Sequence, residues 1–198
     1  MADLPELVVA DADAFGRWLA DHHDDPTGVW LVLAKKGTTE PTSLTYAQAL
    51  DQALRWGWID GQVRSVDAAT YRQRWMRRRP RSMWSQRNVG YATALIEQGL
   101  MQPPGLAEVE RAQADGRWAA AYAGPKDIEE PADWLAALAG DPAARATYDV
   151  LTSQNRFAIL FRLGQIKRAD TRARRIGELV AMLARGETFY PQKRTRET

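Results

Sequence analysis

An arginine-rich segment carries the strongest chemical signal in the sequence. Residues 77 to 88 read RRRPRSMWSQRN, and Arg79 and Arg81 lie directly before the predicted start of a helix. A guanidinium group offers a planar fork of donors that grips a carboxylate or a phosphate. The free N–H groups and the dipole at a helix start also favour an anion, and Ser82 and Ser85 add hydroxyl donors. The segment therefore predicts a site for a small anionic ligand, with a solvated basic strand edge as the alternative.

A second segment, RWGWIDGQV at residues 55 to 63, combines aromatic rings with a carboxylate. Gly57 is typical of a left-handed helix terminator, so Trp56 should end a helix and Trp58 should begin a strand. Asp60 could bind a cation or act as a base, or it could be a structural aspartate paired with a nearby arginine. The two indoles suit the walls of a ligand site and equally a joint between helix and sheet.

Together the two segments predict one pocket, where WGWIDG meets RPRSMWSQRN. Its walls would be Trp58 and Trp84, and its polar anchors would be Asp60, Arg81, Ser82 and Asn88. Two functions remain open for this pocket. It could bind a ligand, or it could be the active site of an enzyme in which Asp60 is the base and Arg81 stabilises an oxyanion.

Nucleic-acid binding is a further alternative, because no acidic residue occurs between Asp67 and Glu97. Trp75 and Trp84 lie among the arginines of residues 72 to 87, and aromatic stacking beside basic groups is typical of single-strand binding. The net charge of the whole chain is only +2. We therefore expect weak binding at most and no specific nucleic-acid partner.

Several classes of site and of location are not expected. The chain has no cysteine, and its only histidines, His22 and His23, would point in different directions on a helix, so we expect no metal site. No dinucleotide, phosphate-loop or nucleophile-elbow motif is present, so we expect no cofactor. The sequence has neither a signal-peptide pattern nor the ~20 apolar residues of a membrane helix, which indicates a cytoplasmic protein without membrane insertion.

The elements that position these residues form two portions. Short apolar or alternating runs predict strands over residues 29–35, 58–66 and 70–77, and Ser43 and Ser82 are the predicted caps of the helices that follow them nearby. After Pro103 the sequence is alanine-rich and helical. The fold class is therefore α+β, with a small α/β portion carrying a short sheet over residues 1–102. A helical portion follows over 103–190 and a disordered tail over 191–198.

Four segments resemble the YdeI/OmpD-associated family, also called bacteriocin-protection proteins. They are WLADHH…GVWLVLAKKG, SLTYAQALDQALRWGWIDG, RRRPRSMWSQRN and IKRADTRARRIGELV, and the resemblance runs from about Trp18 to Ala184. It implies a bacterial protein with an α/β N-terminal part and a helical C-terminal part. The family name points to tolerance of cationic antimicrobial peptides and to association with a porin, without a catalytic residue set. Because the basic segment would repel a cationic peptide, an indirect role in stress protection fits the charges better, and a protein partner stays unidentified.

Overall fold

The computed structural model describes residues 4 to 193, which form a small sheet with helices and then a helical part. The strands are β1 (Glu6–Leu7), β2 (Val29–Ala34), β3 (Trp58–Ser65) and β4 (Thr70–Arg77). The helices are α1 (Ala12–His22), α2 (Tyr46–Arg55), α3 (Gln86–Glu97), α4 (Pro103–Ala114), α5 (Ala132–Ala139), α6 (Pro142–Asp149), α7 (Ser153–Gly164) and α8 (Ala169–Ala184). The predicted α+β class and the three predicted strands are confirmed.

The sheet has the strand order β1-β2-β4-β3. β1 pairs parallel with β2, and the other neighbours pair antiparallel, with Leu31 opposite Gln73 and Asp60 opposite Trp75. Every residue of β2 is buried, as its continuous apolar run VWLVLA indicates. Successive side chains of a strand point to opposite faces of the sheet. In β4, Arg72 and Arg74 therefore lie on one face, and Tyr71, Gln73 and Trp75 lie on the other.

The core of the first unit lies on the Trp75 side of the sheet. Phe15 of α1 meets the Trp75 ring edge to face at 6.2 Å, and Leu31 and Leu54 are buried beside them. Burial of each such side chain contributes about 1.5–3 kcal/mol to stability. This core anchors β3 and β4, the two strands whose ends carry the candidate site.

Trp30 lies on the opposite side of the sheet and is only 3% exposed. The guanidinium carbons of Arg64 and Arg72 stand 4.6 and 5.3 Å from its ring centroid. Cation–π contacts of this kind are worth about 0.5–2 kcal/mol. Arg64 and Arg72 therefore have a structural role, because their guanidinium groups cover the ring of Trp30.

A bulge in β3 changes the predicted direction of one side chain. The alternation of the sequence predicts that Ile59 and Val63 share a face, but the register shifts between Asp60 and Val63. One extra residue in β3 places Val63 opposite Gln73, on the same side of the sheet as Asp60, so the prediction was wrong at this point.

Two predicted helix caps were also wrong. Thr45, and not Ser43, caps α2 in a capping box with Gln48, and Ser43 instead donates its hydroxyl to the carbonyl of Ala10. At α3 the cap is Ser85, whose oxygen accepts the backbone N–H of Asn88 at 3.1 Å.

The chain divides into two compact units after Ala121, later than the division at residue 102 that composition suggests. α4 belongs to the first unit because Val109 is buried in the same core as α2. Gly105 has no side chain, which lets α4 come close to the backbone carbonyl of Arg55.

The second unit contains α5 to α8. Its core includes Trp134, Tyr148 and the apolar stripe of α8, of which Ile176 and Leu179 are buried. Asp141 caps α6, and Pro142 occupies the first helical position. Most of the predicted tail, residues 194–198, lies outside the described residues.

Candidate functional site

The two segments singled out in the sequence meet where β3 begins and β4 ends. Trp58 is paired with Arg77, and the backbone N–H of Arg78 donates to the carbonyl of Gly57 at 3.0 Å. Gly57 has a φ of +74°, the left-handed conformation that ends α2. The helix stop, the strand start and the arginine run therefore lie side by side.

A cleft of about 380 Å³ opens beside this junction, and we call it the arginine cleft. Its lining includes five arginines and one carboxylate, namely Arg74, Arg77, Arg78, Arg79, Arg111 and Glu108. β4 and the residues after it supply four of the arginines, and α4 supplies Arg111 and Glu108. Two elements distant in sequence thus build one strongly basic concavity.

Arg78 is buried in the wall of the arginine cleft. Its guanidinium carbon lies 3.5 Å from the centroid of the Trp84 ring, and Nη1 donates to the carbonyl of Met83 at 3.1 Å. Trp84 in turn meets the ring of Trp118 edge to face at 4.9 Å. The guanidinium of Arg78 is therefore in contact with protein groups and only 3% exposed.

The arginine cleft carries more positive than negative charge. Within residues 4–193, no carboxylate lies within 4.0 Å of the nitrogens of Arg74, Arg77 or Arg79. Arg111 pairs with Glu108 at 2.7 Å, and Glu108 is itself buried. The Nε of Arg74 is buried and has no hydrogen-bond partner among the described residues. Such a group of guanidiniums matches the bidentate geometry of a phosphate or a carboxylate.

A smaller cleft of about 200 Å³ adjoins the arginine cleft, and we call it the tryptophan cleft. Its lining includes Trp56, Gly57, His23 and the carboxylate of Asp24, and it shares Arg77, Glu108 and Arg111 with the arginine cleft. The rings of His23 and Trp56 are 5.3 Å apart and tilted by 32°. The tryptophan cleft thus offers an aromatic surface directly next to a basic one.

Asp60 lies in a separate polar cluster on the core side of the sheet. Its Oδ2 accepts the hydroxyl of Tyr46 at 3.2 Å and the side-chain amide of Gln73 at 3.0 Å. Burial of the phenol and the charge of Asp60 raise the pKa of Tyr46 to about 12. The guanidinium of Arg87 stands 5.5 Å from the Tyr46 ring. Tyr46 therefore stays protonated at neutral pH and acts as a hydrogen-bond donor to Asp60.

The nine residues predicted for the site lie in different environments, and only some of them line the clefts. Arg79 lines the arginine cleft, and Trp56 lines the tryptophan cleft. Trp58 and Trp84 are at most 2% exposed and belong to the core, so neither indole forms an open wall. The indole N–H of Trp58 donates to the carbonyl of His23 at 2.8 Å.

The remaining predicted residues have local roles or stay exposed. Ser82 accepts the backbone N–H of Arg79 at 2.9 Å, Ser85 caps α3, and Asn88 is buried in the first turn of that helix. Arg81 is exposed. The hydrogen bonds of Asp60 go to Tyr46 and Gln73, so within the described residues its partner is not an arginine or serine of RPRSMWS.

The sequence did not single out the residues that α4 contributes. Glu108 lies on the buried stripe of this helix with Gly105, Val109 and Ala112. A carboxylate among such positions is unusual, because an unpaired buried charge is costly. A glutamate on the apolar face of a predicted helix was therefore the sequence feature that could have singled out Glu108. Arg111, one turn later, supplies the partner that the buried carboxylate requires.

Two wider searches of the described residues give negative findings. No helix within residues 4–193 is long and apolar enough to cross a membrane. No group of three or more histidine, aspartate or glutamate side chains in the same part of the chain is arranged to hold a metal ion.

Comparisons with known families assign both parts of the chain. Residues 7–108, more than half of its length, match the family described as Domain of unknown function (DUF8412). Residues 127–186 match the family described as Bacteriocin-protection, YdeI or OmpD-Associated, which confirms the expected resemblance there. No curated protein and no solved structure matches the chain. All residues of the arginine cleft except Arg111 lie inside the first match.

Proposed function

The chain belongs to the DUF8412 family, whose match covers residues 7–108, and its residues 127–186 are similar to the bacteriocin-protection, YdeI or OmpD-associated family. From this premise we propose that it is a cytoplasmic stress-protection protein that binds a small anionic ligand. The binding site in this proposal is the arginine cleft. The observation that carries it is the convergence of Arg74, Arg77 and Arg79, whose nitrogens have no carboxylate within 4.0 Å among the described residues.

The charge of the arginine cleft supports an anion and disfavours a cationic peptide. Opposite charges attract and like charges repel across a binding surface, so a cationic antimicrobial peptide would meet a barrier here. In the proposal, protection against such peptides is therefore indirect and follows from binding of the anion. The C-terminal unit, which carries the bacteriocin-protection match, has its own core and is the part proposed to contact a protein partner.

Isothermal titration calorimetry with pyrophosphate tests the proposal. We expect the wild-type protein to bind pyrophosphate, and we expect Arg77→Ala and Arg79→Ala each to weaken binding about tenfold or more. A charge-assisted hydrogen bond is worth about 1.5–3 kcal/mol, and about 1.4 kcal/mol corresponds to tenfold in affinity.

Arg174→Ala is the matched control, because it removes one positive charge from a side chain that is 74% exposed in the second unit. Its affinity for pyrophosphate should equal that of the wild type. If the wild-type protein does not bind pyrophosphate, or if all three variants weaken binding equally, the arginine cleft is not the site.

A further inference from the structure

The arginine cleft and the tryptophan cleft are two cavities that share part of their lining. Both are lined by Arg77, Glu108 and Arg111. The larger part presents guanidinium groups, and the smaller part presents the rings of Trp56 and His23. A ligand that fills both parts must therefore carry an anionic group at one end and a planar group at the other.

We infer that this region takes a nucleoside diphosphate, with the diphosphate in the arginine cleft and the base against Trp56 in the tryptophan cleft. The inference rests on the proposed function and specifies its ligand class. Aromatic side chains stack on every nucleobase, because each base has a flat π-face. Arginines recognise phosphate oxygens through paired N–H donors.

The number of charges favours a diphosphate over a single carboxylate or phosphate. Five guanidiniums line the arginine cleft against the one carboxylate of Glu108. Arg78 is fixed by the Trp84 ring, and Arg111 is held by Glu108, so two of the five charges are already oriented. Arg74, Arg77 and Arg79 have no carboxylate within 4.0 Å among the described residues, so an anion with a single charge would balance only one of these three guanidiniums.

The volumes of the two clefts agree with a diphosphate in the arginine cleft and a base in the tryptophan cleft. Sites for drug-sized ligands enclose about 300–1,000 Å³. The tryptophan cleft, at about 200 Å³, is too small for such a ligand and suits a single ring system. The arginine cleft, at about 380 Å³, has room for the charged part.

Glu108 has a positioning role in this arrangement. It lies in the wall that both clefts share, is buried, and holds Arg111 at 2.7 Å through Oε1. Arg111 therefore stands at the boundary between the two clefts, where the link between base and phosphates would pass. The carboxylate also limits the repulsion among the arginines before the ligand arrives.

Calorimetric titrations of the full chain with ADP, pyrophosphate and inorganic phosphate test the inference. We expect ADP to bind about tenfold more tightly than pyrophosphate, because one base–aromatic stack adds to the phosphate contacts. Phosphate should bind more weakly than pyrophosphate. Pyrophosphate should also displace ADP, since both anionic groups occupy the arginine cleft.

The variant Trp56→Ala separates the two parts of the region. It should reduce the affinity for ADP to that for pyrophosphate, leave the affinity for pyrophosphate unchanged, and be rescued by Trp56→Phe. A thermal melt of each variant establishes that it is folded, and the wild-type comparison does not depend on any variant.

The outcomes distinguish the inference from the proposed function. Equal affinities of the wild-type protein for ADP and pyrophosphate overturn the inference and leave anion binding intact. A preference for ADP that persists in folded Trp56→Ala also overturns it. If the wild-type protein binds none of the three compounds, the proposed function itself is wrong.

Discussion

Substitution of Gly57 by alanine should destabilise the protein through two separable effects. Gly57 has a φ of +74°, and an alanine in the left-handed conformation is disfavoured by about 1–2 kcal/mol. Its added Cβ would also stand 2.9 Å from Cγ of Glu108 and 3.1 Å from the carbonyl oxygen of Pro104. The first distance is shorter than real Cβ contacts and the second is unusually tight, so the side chain of Glu108 and the start of α4 would have to shift by a few tenths of an ångström.

The magnitude follows from adding these effects. Alanine reduces the entropy of the unfolded chain and so regains about 0.4–1 kcal/mol, which leaves a conformational cost near 1 kcal/mol. Overpacking of an interior costs about 1–3 kcal/mol. We therefore expect Gly57→Ala to lower the free energy of unfolding by about 3 kcal/mol.

Gly99 offers a matched control for the conformational part. It has a φ of +68°, and no atom lies within 4 Å of the position that a Cβ would occupy. Gly99→Ala should therefore cost only about 1 kcal/mol. The difference of about 2 kcal/mol between the two variants measures the close approach of α4 to the end of α2.

Urea unfolding followed by tryptophan fluorescence is the suitable assay. Seven of the eight tryptophans precede Tyr122, so the signal reports on the first unit. Equal destabilisation by Gly57→Ala and Gly99→Ala would refute the reasoning, because the contact with Glu108 would then have no energetic consequence.

Further expectations concern hydrogen bonds, pH and nucleic acid. Asp60→Asn should lower the free energy of unfolding by about 1–2 kcal/mol in urea unfolding, because an amide retains one acceptor while a hydrogen bond to a charge is lost; no change in stability would contradict this. Because the pKa of Tyr46 is raised to about 12 from 10.0, its contribution to stability is fully present below pH 10 and lost as the pH rises through 12. Burial also raises the pKa values of Tyr71 and Tyr148, so several phenolates should form late in an absorbance titration, and Tyr46→Phe should remove one of them; an unchanged number of late phenolates in this variant would contradict the assignment. Ser85→Ala should cost about 1 kcal/mol and Ser82→Ala clearly less, since only Ser85 caps a helix; the reverse order in thermal melts would be inconsistent with the observed cap. Retention on single-stranded DNA should disappear between low and moderate salt, and sub-micromolar binding at physiological salt that is lost in Trp84→Ala would show specific recognition instead.

The strands could be predicted because their patterns are local. β2 has a continuous apolar run, and β4 alternates Tyr71, Gln73 and Trp75 with polar residues, so the side-chain period itself identifies them. β1 was not predicted, because it has only two residues, which are too few to show a side-chain period. The bulge after Asp60 likewise has no signature that distinguishes it from regular alternation.

The helix caps show why serine alone does not locate a helix start. The segment RPRSMWS contains two serines, and either could cap α3. Trp84 is buried against Arg78 and Trp118, and residues 82–84 are not helical. Tertiary packing therefore selects the second serine over the first.

The candidate site could be predicted only in part, because tertiary packing also decides which residues line it. The guanidinium chemistry of Arg79 and the proximity of WGWIDG to the arginine run could be inferred from residue types and strand pairing. Glu108 and Arg111 could not, because α4 follows much later in the sequence and only its packing at Gly57 brings them to the cleft. The hydrogen bonds of Asp60 to Tyr46 and Gln73 could not be predicted either, because they depend on how β3 packs against α2 and β4.

The most direct test of anion binding in the arginine cleft is a crystal structure of the wild-type protein with tungstate. Tungstate imitates phosphate, and the anomalous scattering of tungsten locates it without reference to the protein. We expect the strongest anomalous peak between the guanidinium groups of Arg77 and Arg79, and we expect it to disappear in the double variant Arg77→Ala/Arg79→Ala. A strongest peak elsewhere on the protein, or an unchanged peak in the double variant, would contradict the central claim that these arginines form an anion-binding site.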